Sequence, residues 1–177
     1  MDMQLVQAKE GLDAYLDIET TGLSWLDAEI TVIGLYLVDG SSSRLLQLVG
    51  KEITRDSLLE ALETVQTIFT YNGSRFDLPF IDASLGIDLS GLFAHRDLMY
   101  DCWQCNLYGG FKAVEAQLRI PRHLKGIRGW DAIMLWQRYS DHGDQNALAL
   151  LLEYNREDVV NLKALRERLT LERNRPE

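Results

Sequence analysis

Cysteine is scarce in this sequence: 177 residues hold two, Cys102 and Cys105. Their C-x-x-C spacing has no second pair, which excludes a four-ligand structural zinc site and favours two reduced thiols, with a redox pair or half of a metal site as alternatives. Proline is nearly as rare, at three residues, and 46% of the chain is hydrophobic against 25% charged. That balance belongs to an ordered globular protein and leaves no tract of disordered composition except at the ends. No apolar run reaches the roughly eighteen residues of a membrane-spanning helix. The first residues show no basic segment followed by an apolar run, so no secretory leader is expected and the expected location is the cytoplasm. Positive charge is also missing. A formal net charge of −9 argues against a surface that coats nucleic acid broadly, while leaving room for a local basic patch.

The length suits one domain with a sizeable core, and residues 1–177 are read as a single domain. From Leu12 the residues Leu12, Ala14, Leu16 and Ile18 alternate with Asp13, Tyr15, Asp17 and Glu19. A period of two predicts a strand with one apolar face and puts Asp17 and Glu19 on the same side. The run from Ile30 to Val38 reads as a central strand, and Asp39 to Ser43 as a turn into a third strand, Arg44 to Gly50. Short links make these an antiparallel meander. Helix and strand then alternate: a helix capped by Thr54, a strand from Thr67 to Tyr71, and a turn through Asn72-Gly73 into a short helix. A strand follows near His95 to Met99, then a helix from about Cys102, helical segments near Phe111 and Trp130, and a long helix from Asn146 to Leu169. The sum is an α/β protein with a mixed sheet flanked by helices.

The long last helix carries an anomaly. At about 100° per residue, Leu151, Leu162, Leu165 and Leu169 share one side, and Asp158 projects into the middle of that stripe with Tyr154 at its edge. A buried carboxylate must find a cation, ion-pair with an arginine, or hold a proton. For Tyr154 the plain alternative is a tyrosine at the edge of the core with a satisfied hydroxyl. Arg156, Glu157, Lys163, Arg166, Glu167 and Arg168 lie mostly off the stripe and read as solvated.

Acids thus stand in unusual places in three segments. Asp17-Ile18-Glu19 gives D-x-E at a strand end, Asn72-Gly73-Ser74-Arg75-Phe76-Asp77 gives N-x-x-x-F-D, and Tyr154 to Asp158 gives Y-x-x-x-D. Together and in this order they resemble the DEDD superfamily of 3′–5′ exonucleases, the DnaQ-like enzymes on a ribonuclease H-like fold. The tyrosine places the resemblance in the DEDDy branch; the histidine branch would need a histidine at Glu153. A closer resemblance, to YprB-type ribonuclease H-like domains, extends over His95 to Met99, Gly109 to Arg122 and Tyr154 to Leu165.

The resemblance implies a five-stranded ribonuclease H-like sheet and two divalent cations, Mg2+ or Mn2+, held by Asp17, Glu19, Asp77 and Asp158. Hard cations prefer oxygen ligands, which agrees with a set of acids that needs no histidine or cysteine. Asp17 would bridge both ions, Glu19 and Asp158 would complete the water-activating site, Asp77 would hold the second ion, and Tyr154 would position the water. The partner would be the 3′ end of single-stranded DNA or RNA. Substrate contacts are expected from Thr20, Asn72, Phe76 and Lys112, and from Leu23 and Trp25 as an apolar wedge, with cover for the sheet edge as their alternative. Asn72 also suits a turn-forming role. The basic stretch Arg119, Arg122, His123, Lys125 and Arg128 reads as a solvated loop rather than a phosphate site. Two other functions stay open: a nucleic-acid-binding or interaction domain with little turnover, and a structure-selective endonuclease.

Overall fold

The computed structural model describes residues 11–40 and 42–173. Five strands form one sheet: β1 (Leu12–Thr20), β2 (Ile30–Asp39), β3 (Ser42–Val49), β4 (Val65–Thr70) and β5 (Ala94–Asp97), in the order β3-β2-β1-β4-β5. β1, β2 and β3 are the expected antiparallel meander, and β4 and β5 add parallel to β1 and β4. Around them lie a 3-10 turn (Gly50–Glu52), α1 (Arg55–Ala61), α2 (Asp77–Leu85), α3 (Leu89–Leu92), α4 (Leu98–Gln104), α5 (Phe111–Gln117), α6 (Gly129–His142) and α7 (Gln145–Arg173). This is the ribonuclease H-like mixed sheet flanked by helices. No helix among the described residues is long and apolar enough to cross a membrane.

The alternation in β1 distributes its side chains between two layers. Ala14, Leu16 and Ile18 join Ile33, Leu35, Ile68, Leu58, Phe80 and Ile81 in the core beneath α1 and α2. Tyr15 faces the other way, stacked on Phe69 with ring centroids 5.2 Å apart, and packs with Leu162, Leu165 and Leu169 of α7. The sequence pattern alone suited a strand with one wet face. In the structure β1 is the central strand and both faces are covered, so Glu19 is buried too. Arg166, read as solvated, also packs inward, its guanidinium over the Phe69 ring at 4.0 Å and hydrogen-bonded to the Tyr15 hydroxyl at 2.9 Å.

The boundary between β5 and α4 differs from expectation. The segment near His95 leaves the sheet at Asp97, and α4 begins at once at Leu98, four residues before the expected start at Cys102. The cause is Asp97, which accepts a cap hydrogen bond from Met99 N at 3.1 Å and hydrogen bonds from Asn72 N at 2.8 Å and Ser74 Oγ at 2.8 Å. One buried carboxylate thereby starts a helix and fixes the turn before α2. Asn72 adopts φ +63°, the left-handed conformation that asparagine tolerates, consistent with its turn-forming role. Cys102 lies in the core, and neither cysteine is in a disulfide among the described residues.

α7 reaches the sheet through Asn155, which is fully buried. Its Nδ2 donates to Asp17 Oδ2 at 3.1 Å, and its Oδ1 accepts from Gln47 Nε2 at 2.9 Å. Gly34 pairs with Asp17 across β1 and β2 and leaves the space that this amide fills. A Cβ at position 34 would fall 2.1 Å from Asn155 Oδ1. Gly34→Ala is therefore expected to cost about 1–3 kcal/mol by overpacking and to lower the melting temperature by roughly 3–10 °C. In thermal denaturation the Gly34→Ala/Asn155→Ala double variant should lose clearly less than the sum of the single variants, because both act on one contact.

Candidate active site and metal centre

The end of β1 delivers Asp17 and Glu19 beneath α7, whose Asp158 points down onto them. One carboxylate oxygen from each of the three lies within 4.8 Å of the others. Asp77, the first residue of α2, stands outside this triad, with its Oδ1 accepting a hydrogen bond from Ile18 N at 3.1 Å. It lines the same cavity of about 430 Å3 as Asp17, Glu19 and Asp158. The four acids that the motifs placed in three segments are thus brought to one site, three in a cluster and one on the adjoining wall.

Like charges at this depth raise each other's proton affinity. Burial first, then the charges of Asp158, Glu19 and Asp77, push the Asp17 carboxyl well above its ordinary range, against the hydrogen bond from Asn155. Glu19 is pushed well up by burial and by Asp158, with the Lys112 ammonium opposing. Burial raises Asp77 to about 7 despite its backbone hydrogen bonds, and raises Asp158 to about 6 despite Arg122.

Arg122 is the counter-ion of this site. Its guanidinium forms a two-pronged pair with Glu115, 2.8 Å at each prong, and its Nη2 also hydrogen-bonds Asp158 Oδ1. Asn161 Nδ2 donates to the same Glu115 at 2.7 Å. The sequence reading of the basic stretch as a solvated loop is corrected here for Arg122, whose side chain is only 10% exposed. Glu157, read as solvated, is also buried: it accepts hydrogen bonds from His123 N and from Leu124 N, the latter at 3.1 Å, and so pins the loop that carries Arg122. Helical spacing could not reveal this, because the recess that accepts Arg122 is assembled by α5 and α7 together. The arginine alternative for Asp158 and the cation-site reading coexist in one geometry.

Tyr154 is buried, and its hydroxyl accepts a hydrogen bond from Lys112 Nζ at 2.6 Å. Lys112 also donates to Ile127 O at 2.5 Å and lies 4.1 Å from the Tyr154 ring centre. Burial, then the charges of Asp158, Glu19 and Asp17, raise the phenol above its ordinary range, and burial lowers the Lys112 ammonium.

Of the expected substrate residues, Thr20, Leu23, Asn72 and Phe76 line the cavity of the acids, and Leu23 is 84% exposed. Lys112 lines a second cavity of about 350 Å3 that meets the first along Asp17, Tyr154 and Asp158. Trp25 does not reach the acids. The turn in which Ala28 N bonds back to Ser24 O at 3.0 Å leads it to a separate recess beside Ile53 and Leu85. Sequence reasoning missed Asn155, Arg122 and Trp130. The first sits inside the third motif and was visible as a polar residue on an otherwise apolar helix face.

Whether these residues suit a cation can be tested on one atom. Glu19 Oε1 is buried without a hydrogen-bond partner, a costly state for a carboxylate oxygen unless a cation meets it. The triad, all hard oxygen donors, fits Mg2+ or Mn2+ better than a soft metal.

Comparison with known proteins gives the family and the fold. The sequence profile of the RNase H superfamily matches residues 14–170. The chain belongs to the RNase H superfamily. No curated protein sequence matches it significantly. Among solved structures, a protein described as the apo form of a nuclease superposes with a TM-score of 0.62 at 20% identity, covering 93% of this chain and 73% of that one. The family B DNA polymerase of Pyrobaculum calidifontis superposes with a TM-score of 0.63 at 15% identity, covering 92% of this chain. This chain spans 24% of the polymerase. At such identities the superpositions speak to the RNase H-like fold.

The raised carboxyls set a pH dependence. Unfolded, they titrate near 4; folded, Asp158 and Asp77 hold protons to about 6 and about 7. Between these limits the folded state binds more protons, so stability is full below about pH 4 and declines as pH rises toward 7. Chelator-treated protein should melt at a lower temperature at about pH 7.5 than at about pH 5.5, and Asp17→Asn should flatten that difference. Calorimetry at the two pH values checks this, and a rise with pH would contradict it.

Proposed function

We propose that this chain is a single ribonuclease H-like domain acting as a DEDDy 3′–5′ exonuclease. In this reading it removes nucleoside monophosphates from the 3′ end of single-stranded DNA or RNA in the cytoplasm, with two Mg2+ or Mn2+ ions. The observation that carries the proposal is the acid triad with the uncompensated Glu19 Oε1, beside a tyrosine that lines the same cavity. The YprB-type resemblance belongs to the same reading.

Asp17, Glu19 and Asp158 would hold one cation, and Asp77, with Asp17, the second. When bound, such ions supply charge for the phosphoryl oxygens and lower the pKa of water. The chain's own groups do the rest. Tyr154 is protonated at neutral pH as an ordinary phenol is, and burial pushes its phenol further up. Since Lys112 already donates to its oxygen, the phenolic proton is free to be given to a water oxygen and to orient that water for attack. Asn155 holds the Asp17 carboxylate in position, and Arg122 does the same for Asp158 while offsetting the summed charge. Buried acids that repel one another have no structural use, which supports turnover over a purely binding role.

End-labelled oligonucleotides incubated with Mg2+ or Mn2+ should give a one-nucleotide ladder shortening from the 3′ end. Asp77→Ala or Asp158→Ala should slow it by about 100-fold or more; activity that persists in these variants would point to a contaminant. A circular substrate should stay intact, and internal fragments from it would favour an endonuclease. Independently of activity, metal at about 100 times its dissociation constant should add about 2.7 kcal/mol and raise the melting temperature by roughly 5–10 °C. The Asp17→Asn/Asp158→Asn variant should not respond.

A further inference from the structure

Two cavities meet at the acid cluster, and their walls differ in character. One carries Lys112 and the exposed Arg128 together with Phe111. The other carries Leu23, Phe76, Trp130 and Ile133. Trp130 is the second residue of α6 and is 70% exposed. Its helix is firmly anchored: Ala132 and Leu135 pack with Val32, Leu151 and Tyr154 in the core, and Arg128 N donates to Asp131 Oδ2 at 2.7 Å at the helix start. The indole is therefore carried on a rigid element yet left uncovered.

Two of the other three tryptophans have aromatic partners, and Trp25 lines a separate recess away from the acids. Trp103 packs edge-on to Tyr100 with centroids 5.2 Å apart, and Trp136 lies 5.4 Å from Tyr139. Among the described residues Trp130 makes no ring contact. Leaving so large an apolar surface in water forgoes burial that most tryptophans obtain. An occupant must be flat and apolar on its face, and must carry a phosphate close enough to meet the acid cluster at the floor of the same cavity. A nucleobase joined through its sugar to the scissile phosphate has both features.

Resting on the exonuclease reading above, we infer that Trp130 is the stacking platform for the 3′-terminal base, opposite Leu23 in the apolar cavity. The strand behind it crosses the wall of Lys112 and Arg128. Stacking on an indole face is tolerant of base identity, since every base presents a π face. It also requires the terminal base to leave its neighbour and its pairing partner. The platform therefore selects single-stranded or frayed ends without reading sequence.

The test compares oligonucleotides that end in a normal base or in an abasic residue, with binding measured in Ca2+ and cleavage in Mg2+. Wild-type protein should bind the base-ended strand roughly 10-fold more tightly than the abasic one. Trp130→Ala should bind both about equally, and Trp130→Phe should keep most of the preference. The side chain is exposed, so all three proteins should melt at similar temperatures, and discrimination between the two ends is a readout that a merely structural role would leave unchanged. Equal binding of both strands by wild type, or an unchanged preference in Trp130→Ala, overturns the platform; where wild type still shortens the strand, the exonuclease reading stands without it. If wild type shortens neither strand, the exonuclease reading falls and this inference falls with it.

Discussion

Electrostatic repulsion among Asp17, Glu19 and Asp158, held within 4.8 Å of one another beneath a helix, is the constraint on which the rest of the structure depends. Each of the three would relax by moving toward water, and none can. β1 is the central strand of the sheet, fixed on both sides by its neighbours, and α7 is locked by Leu162, Leu165 and Leu169. The hydrophobic layers hold the charges together, as the dispersed gains of many apolar contacts outweigh a concentrated local cost.

The charges are then managed one at a time. Arg122 answers Asp158, the Asn155 amide answers Asp17, Lys112 lies near Glu19, and a backbone N–H of β1 answers Asp77. These partners come from three elements and a loop, and the three side chains among them are oriented by groups of their own. Glu115 and Glu157 fix Arg122 and its loop, Gln47 fixes Asn155, and Ile127 O shares Lys112. Among the carboxylate oxygens of the described residues, Glu19 Oε1 is buried and left without a hydrogen-bond partner. A buried carboxylate oxygen left unpaired gives a cation something to gain, where full internal compensation would leave it nothing.

Around this centre the surface divides into a cationic side and an apolar side. In the proposed reading that division would orient a bound strand, with phosphates toward Lys112 and Arg128 and a base toward Trp130. The acidic total charge of the chain is compatible with such use, since the positive groups needed are few and local.

Much was legible in the linear chain. Period-two alternation located β1, the meander followed from short polar links, the leucine stripe of α7 exposed Asp158 as an intruder, and three short motifs named the acids, all because local propensity and hydrophobic period act over neighbouring residues. The sequence could not show that β1 is central and covered on both faces, that Arg122 leaves its basic loop for the interior, that Glu157 turns inward to hold that loop, or that Trp25 faces away while Trp130 faces the acids. Each of these depends on which remote segment supplies the partner: α7 across β1, α5 against α7, and the turn after β1 against α2. The sequence by itself determined the chemical inventory and the elements that carry it. Tertiary structure decided which charges meet, because the energy of a buried charge is set by what packs against it and not by its neighbours along the chain.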